Sequence, residues 1–582
     1  MSEVKVNKVS PRSGTTLTIG DSGDTTNIVG TLQNNGGALD GVTFKEGGTN
    51  FTNSLLVGTD GTGTLSSADG NTGVGTGVLG ALTTGDNNVA VGLNALLTNT
   101  TASANTAVGG LSLKLTTTGA ANTAVGYRAM EDNTTGTCNT SVGCAALVTN
   151  TTGRYNSAFG KESLGANTTG EENVAVGIHA LQANTTADKN TAVGASAMVA
   201  NTTGTRNTAV GGEALDANTT GSYITAIGQC ALGANTTGTE NVAVGQGSLQ
   251  NNTTASCNVA VGVSALLINT TGASNTSVGH CSLCSNTTAD NNTAVGMNAL
   301  KTTTTGACNV SVGQGTLQLN TTGSTNTGLG RQALYNNTTG GTNTAVGYQA
   351  MVSNTTGSDN VAIGNSALGA SNTTHNVAVG VGAFKSVING VGGVAVGHCA
   401  GAGVTSGANN LAIGKCAGCT TTSGIANITI GFLALKAAAT NNDEIVIGNQ
   451  TTGKGAATAF INAYGGPVYA GNNSANFSTT SDRRIKKNIV DNTTGLDKIN
   501  QIQIKNFEYK TENEITELPS YSFVNKQGIQ VGVIAQEIET ILPDVVRTES
   551  TGVKTVDPGN LTWYMINAIK ELKAEIELLK NK

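Results

Sequence analysis

The chain repeats itself every 17 residues, and that period limits what it can fold into. A glycine preceded by Val, Ile, Leu or Phe falls at Gly75, Gly92, Gly109, Gly126, Gly143, Gly160 and Gly177. The series runs on through Gly194, Gly211, Gly228, Gly245, Gly262, Gly279, Gly296, Gly313, Gly330, Gly347 and Gly364. One step of 16 leads to Gly380, and steps of 17 then give Gly397, Gly414, Gly431 and Gly448. Disorder does not hold register over such a distance, so the series marks stacked copies of one small unit. A helix-turn-helix repeat needs about 30 residues or more. Two short apolar stretches and two polar turns fit one coil, or rung, of a parallel β-solenoid.

With the glycine as position zero, Asn-Thr-Thr-Gly/Ala begins at −10, as in Asn133-Thr134-Thr135-Gly136. An Asn stands at −4 (Asn105, Asn122, Asn139, Asn156), Thr or Val at −3, Ala or Ser at −2, and Val or Ile at −1. Positions +3 and +4 read Ala129-Met130 or Ala146-Leu147. Strand alternation puts −3 and −1 on one face and −2 on the other. On this reading −1 and the Leu at +4 form a thin apolar interior. The small residue at −2 then faces out, where another chain packs closely. The Asn columns predict amide ladders between coils. The glycine predicts a positive φ or a crowded backbone approach.

Composition narrows the function classes. Glycine is 80 of 582 residues, aromatics are 3% and charged residues 11%, too few large side chains for several conventional cores. Net charge is −6, without a basic face, which excludes nucleic acid as a partner. No apolar run reaches about 18 residues and no h-region follows Met1–Lys5, so neither membrane insertion nor secretion by a leader is expected. Nine of the ten cysteines fall in three repeat columns: Cys230, Cys281, Cys399 and Cys416 at +2, Cys138, Cys257 and Cys308 at −5, Cys284 and Cys419 at +5. The two C-x-x-C pairs, Cys281/Cys284 and Cys416/Cys419, lie 135 residues apart and cannot share one zinc. Free thiols in a reducing compartment are expected, with no metal and no cofactor. A zinc on an axis shared by three chains is the alternative.

The motif Asn-Thr-Ala-Val-Gly-x-x-Ala-Leu resembles the head repeats of YadA-like trimeric bacterial adhesins, over about residues 71–450. That resemblance implies a trimeric, left-handed parallel β-roll. The period of 17 is longer than the head repeat typical of that family. The variable positions −6 and −5 (Arg154-Tyr155, Glu171-Glu172, Asp188-Lys189, Thr205-Arg206) are read as solvent-facing loop tips.

Composition changes abruptly at Ser481. Charged residues are 29 of the last 102 against 37 of the preceding 480, and six of the twenty aromatics lie here, including Trp563. This predicts a separate α+β domain with an ordinary core. Met565, Ile569, Leu572, Ile576 and Leu579 form a heptad seam, for self-association or for packing on the domain itself. Ser481-Asp482-Arg483-Arg484-Ile485-Lys486-Lys487-Asn488-Ile489 is similar to the opening motif of the peptidase S74 family, the intramolecular chaperones at the carboxyl ends of phage tailspikes and fibres. A related module occurs in myelin regulatory factors. Gly532-Val533-Ile534-Ala535-Gln536-Glu537 and Leu542-Pro543-Asp544-Val545-Val546 extend the likeness. The resemblance implies that the domain trimerises the chain, folds the fibre and cuts itself off. Ser481 becomes the nucleophile, Lys486 its base, and Thr480–Ser481 the bond cut once in cis. A hydroxyl needs such a base, and a lysine serves when burial or nearby cations lower its pKa. Arg483, Arg484 and Lys487 are candidate cations.

The expected organisation is therefore mainly β. Residues 1–70 form a virion-attachment region, whose start, Val6 to Thr16, resembles the amino ends of marine phage tail fibres. Residues 71–450 form the repeat shaft, 451–480 a β-rich neck, and 481–582 the chaperone domain ending in a helix or coiled coil. The expected function is a homotrimeric viral tail or host-attachment fibre, assembled in the host cytoplasm and resident in the virion. Its partners would be copies of itself, tail proteins and a host-surface receptor, with a glycan among the candidates. A bacterial surface adhesin and an ice-binding solenoid are the alternatives. A glycan-cleaving shaft is disfavoured, because uniform repeats leave no insertion to hold a cleft.

Overall fold

A computed structural model describes residues 38–39, 42–48, 50–58, 64–463, 466–470, 477–478, 483–515, 517, 527–548 and 552–582. The chain divides into two compact units, Met1–Thr479 and Thr480–Lys582.

The first unit is a parallel β-solenoid of about 24 turns. Each rung contributes one three-residue strand, such as Val174–Val176 or Thr191–Val193, which pairs in parallel with its counterpart 17 residues on (Val174↔Thr191, Ala175↔Ala192, Val176↔Val193). The stack starts with Phe51–Val57, which pairs Leu55 with Thr72, one rung before the glycine series. A meander precedes it: Ala38–Leu39, Val42–Gly48 and Phe51–Val57 pair antiparallel in turn. The last parallel pairing joins Ile445–Gly448 to Ala459–Ala463, and antiparallel strands Gly466–Ala470 and Phe477–Ser478 follow.

Glycine at position zero answers to both reasons given for it. Gly126 has φ +136°, and a Cβ there would lie 2.4 Å from the carbonyl oxygen of Gly143 in the next rung. Most rungs also hold three non-glycine residues in the left-handed region, at +2, +4 and −5, as at Ala145 (φ 55°), Leu147 (53°) and Tyr155 (58°). Such conformers cost about 1 kcal/mol or more each. Local preference therefore opposes the coil, and the hydrogen bonds to neighbouring rungs hold it.

The interior differs from the expected one. Position −2 points inward: Ala107, Ala124, Ala158 and Ala175 have no exposed surface, alongside Ala at +3 and Leu or Met at +4. Position −1 points outward and is about two-fifths exposed, as at Val74, Phe159, Val210 and Ile363. The reason is room. At Gly73, a −2 position, a Cβ would lie 2.5 Å from Leu56 Cδ2. Leu56 is itself the −2 residue one rung earlier, and glycine in the next rung makes room for it; from Gly73 to Ala412 the column is Gly, Ala or Ser, with Thr429 and Val446 at the far end. Serine fits when its hydroxyl is satisfied, as when Ser141 Oγ donates to Ala146 O (2.8 Å). Thus −3 and −1 do share a face, but it is the outer one, and the small column belongs to the chain's own core.

Both Asn columns are buried and work differently. At −10 the amides form a ladder: Asn150 Nδ2 donates to Asn133 Oδ1 and Asn167 Nδ2 to Asn150 Oδ1, each at 2.9 Å. At −4 many side chains add such amide bonds, as where Asn139 Nδ2 donates to Asn122 Oδ1 (3.1 Å), and there the Oδ1 also holds the backbone of the next rung. Asn122 N donates to Asn105 Oδ1, and Asn122 Nδ2 donates to Gly136 O, both at 2.9 Å.

The second unit is small. Strands Lys505–Phe507 and Gln530–Gly532 pair antiparallel, as do Val546–Thr548 and Lys554–Val556. Helices α1 (Leu496–Ile499), α2 (Ala535–Ile541) and α3 (Pro558–Lys580) complete it. Ile538, Leu542, Val545 and Tyr564 form the core. Asp557 caps α3 by accepting from Gly559 N and Asn560 N, with Pro558 in the first turn, where its missing N–H costs nothing.

Candidate functional site

Thr480 and Ser481 lie outside the described residues. Lys486 follows a 3-10 turn over Arg483–Ile485, where its N–H donates to Arg483 O (3.2 Å). Lys486 is exposed, as are Arg483, Arg484 and Lys487. The sequence argument asked for a lysine base that is desolvated or crowded by cations. The cations are neighbours in sequence, but this chain by itself does not bury Lys486.

Around this segment the unit is held by polar contacts to α3. Leu496 N donates to the Glu571 carboxylate (2.6 Å), and Asn567 Nδ2 donates to Asn492 O (2.7 Å). Gly495 permits the approach, since a Cβ there would lie 2.6 Å from Ala568 N. Tyr564 Oη donates to Asp544 Oδ2 (2.6 Å), and that hydrogen bond, helped by burial, raises the phenol above its ordinary range. Asn492, Asp544, Asn560, Trp563, Tyr564 and Asn567 line a shallow polar cleft there, which sequence reading did not find because its members come from three separate segments.

Helix α3 has two faces. Tyr564 and Ala568 are buried against the unit. The heptad residues are not: Met565 is 48% exposed, Ile569 64% and Leu579 70%. Leu496 and Ile499 of α1 extend this apolar surface along Met565, Ile569 and Leu572. Among the described residues the seam borders α1 at Met565, Ile569 and Leu572 yet keeps much of its surface exposed.

On the solenoid the variable columns pair between rungs. Arg154 meets Glu171 (2.7 Å), Lys189 meets Glu172 (3.9 Å), and the Arg206 guanidinium lies 5.5 Å from the Tyr223 ring centre. The Thr column at −9 is also engaged, as where Thr134 Oγ1 donates to Thr151 O (3.0 Å). The −9 hydroxyls therefore serve the stack, while −8 threonines such as Thr135 and Thr152 are exposed. All ten cysteines are free thiols. Among the described residues no group of three or more His, Cys, Asp or Glu could hold a metal ion, and no helix is long and apolar enough to cross a membrane.

One pair escaped the sequence reading. Glu444 takes the −4 place of the last rung before the neck and is fully buried. It accepts from Gly455 N (2.9 Å), Asn441 Nδ2 (3.0 Å) and Ala437 N (3.3 Å). Lys436, also buried, donates to Asn441 O (2.6 Å). Glu444 stands where most rungs use an Asn, so the sequence signal was a break in the −4 column.

Residues 481–547 match the peptidase S74 family, described as chaperone of endosialidase. The match begins at Ser481, covers the first strand pair and α2, and ends at Arg547 within the first strand of the second pair, before α3. No curated protein matches the chain. A parallel β-solenoid followed by a segment that matches the chaperone of endosialidase family is a combination that fits a phage tail fibre with an intramolecular chaperone.

Proposed function

We propose that the chain is a homotrimeric tail or host-attachment fibre whose terminal domain aligns three copies, promotes folding of the solenoid, and then leaves by cleaving Thr480–Ser481. The family match immediately after the solenoid carries this reading. Two surfaces support the trimer. One is the outward apolar column at −1, repeated on every rung; the other is the exposed seam of α3. An isolated rod would leave both wet, and contiguous apolar surface of that extent marks an interface.

The need for a chaperone follows from the rungs. Successive rungs are nearly identical, so slipped registers between chains are close in energy. Most rungs also ask three residues into left-handed conformations before their neighbours reward them. A trimeric cap sets register at one end. Cleavage then removes the route back, leaving the product kinetically stable. In the cleavage step Lys486 takes the Ser481 hydroxyl proton, Ser481 Oγ attacks the Thr480 carbonyl carbon, and the acyl group moves from nitrogen to oxygen as the freed Ser481 amine takes the proton back; water then hydrolyses the Thr480–Ser481 ester, leaving a carboxylate on Thr480 and Ser481 as the amino terminus of the released domain. Assembly supplies the burial of Lys486 that the single chain lacks.

Sedimentation of the uncut Ser481→Ala chain tests the assembly. Three copies of the 58.0 kDa chain are expected, with Ile569→Asp/Leu572→Asp giving aggregate instead. A monodisperse, well-folded monomer contradicts the reading.

A further inference from the structure

The two C-x-x-C turns share more than spacing. Side chains at +2 and +5 of a rung meet on its outer surface. Arg128 and Glu131, at these positions, pair at 2.5 Å. A Cβ at Gly247 (+2) would lie 3.2 Å from Gln250 Oε1 (+5), and one at Gly315 would lie 3.1 Å from Gln318 Oε1. The backbone shows why. Gly233 N donates to Cys230 O (3.3 Å) and Ala402 N to Cys399 O (3.3 Å), which closes a four-residue turn from +2 to +5. The ends of such a turn lie within about 7 Å of each other, the separation a disulfide spans. Cysteine occupies both ends in two rungs only, at Cys281/Cys284 and at Cys416/Cys419. All four thiols are half-buried, so a small reagent can reach them.

We propose that Cys281/Cys284 and Cys416/Cys419 are oxidation sites that each close to a disulfide within the turn on meeting a small-molecule disulfide. One thiolate attacks the oxidant's sulfur and releases one thiol from it. The second cysteine then displaces the other half, forming the protein S–S bond. Two protein thiols are oxidised, and one reagent disulfide is reduced to two thiols. The remaining cysteines have different surroundings. Cys230 and Cys257 each lie 3.5 Å from a carboxylate, of Glu213 and Glu240, rather than against a second thiol. Cys399 stands one rung before Cys416 and has Ala402 at the far end of its own turn.

Burial, then the neighbouring Cys281, pushes the Cys284 thiol up to about 11, and burial likewise raises Cys419. Thiolate is scarce at neutral pH in such a pair, so closure is slow and accelerates in alkaline buffer. The pairs are therefore structural locks rather than fast sensors. Each would hold its +2 residue, left-handed at Cys281 (φ 52°) and Cys416 (φ 55°), in the turn.

The test uses the purified full chain, held native with glutathione disulfide in mildly alkaline buffer, then alkylated, denatured, digested and mapped by mass. The expected result is two peptides, each lighter by two hydrogens and unalkylated until reduced, with the other six of the ten cysteines alkylated. Cys284→Ser and Cys419→Ser should each abolish one closure and leave the other. Alkylation of all four cysteines, glutathione adducts that never resolve, or a Cys399–Cys416 link would overturn the proposal.

Discussion

Asn286 Nδ2 donates to Asn269 Oδ1 at 2.7 Å, yet the Oδ1 of Asn286 is buried without a partner. The next rung carries Thr303 in that column, and Thr303 instead receives Asn320 Nδ2 at 3.3 Å. Asn354 Oδ1 is orphaned in the same way where the column meets Ser371 in the 16-residue rung. Ladder breaks thus leave acceptors stranded in the core.

Thr303→Asn should mend the first break. Neighbouring rungs already house Asn at this position, and an unmet buried acceptor costs about 1–3 kcal/mol. Stabilisation of about 1 kcal/mol is expected, read as a raised denaturation midpoint. Destabilisation would show that the threonine fits something the ladder does not.

The two strand faces should respond oppositely. Ala209→Leu overfills the coil and should cost about 1–3 kcal/mol or more. Val193→Asp/Val210→Asp/Ile227→Asp changes only outward side chains, so rung structure by circular dichroism should persist while sedimentation shows assembly lost. If the aspartates leave assembly intact, the −1 face is not the contact between chains.

Phe384 replaces the usual leucine at +4, and the following rung makes room for it. A Cβ at Gly393 would lie 2.8 Å from its ring, and one at Gly401 2.4 Å. Gly401→Leu should therefore be strongly destabilising alone. Phe384→Leu should cost about 1–3 kcal/mol as a cavity. Combined with Gly393→Asn it should recover stability, because these three positions would then approach an ordinary pair of rungs. Simple additivity in thermal melts would contradict the coupling.

Burial holds the Lys436 ammonium below the usual lysine range, with Glu444 pulling the other way. The unfolded chain then binds that proton more tightly. Stability from this group is flat below the depressed value and rises with pH toward the ordinary 10.5. The difference in melting temperature between wild type and Lys436→Met should follow that alkaline rise. A pH-independent difference would remove the lysine's titration from the account.

Much of the solenoid was legible because its constraints repeat. The glycine column, the period and the −10 ladder each follow from one rule applied along the chain. The direction of the strand was not legible. Period two says that −1 and −2 oppose each other, but a buried Val and a buried Ala are equally good patterns. Only the burial of the −2 column decides it, and there even Leu56 fits because Gly73 follows it. The compensation of Phe384 by Gly393 and Gly401 was hidden because it crosses rungs. At the terminal unit the motif at Ser481 could be read, whereas the exposure of Lys486 and of the α3 seam depends on how little core that unit builds.

The central claim is a chaperone that folds the fibre and releases itself, and the intact mass of the purified full chain tests it most directly. Two species ending at Thr480 and beginning at Ser481 are expected from wild type. Ser481→Ala should give one uncut chain that is still assembled, and Lys486→Met should do the same. A single full-length species from wild type, indistinguishable from Ser481→Ala, would contradict the account.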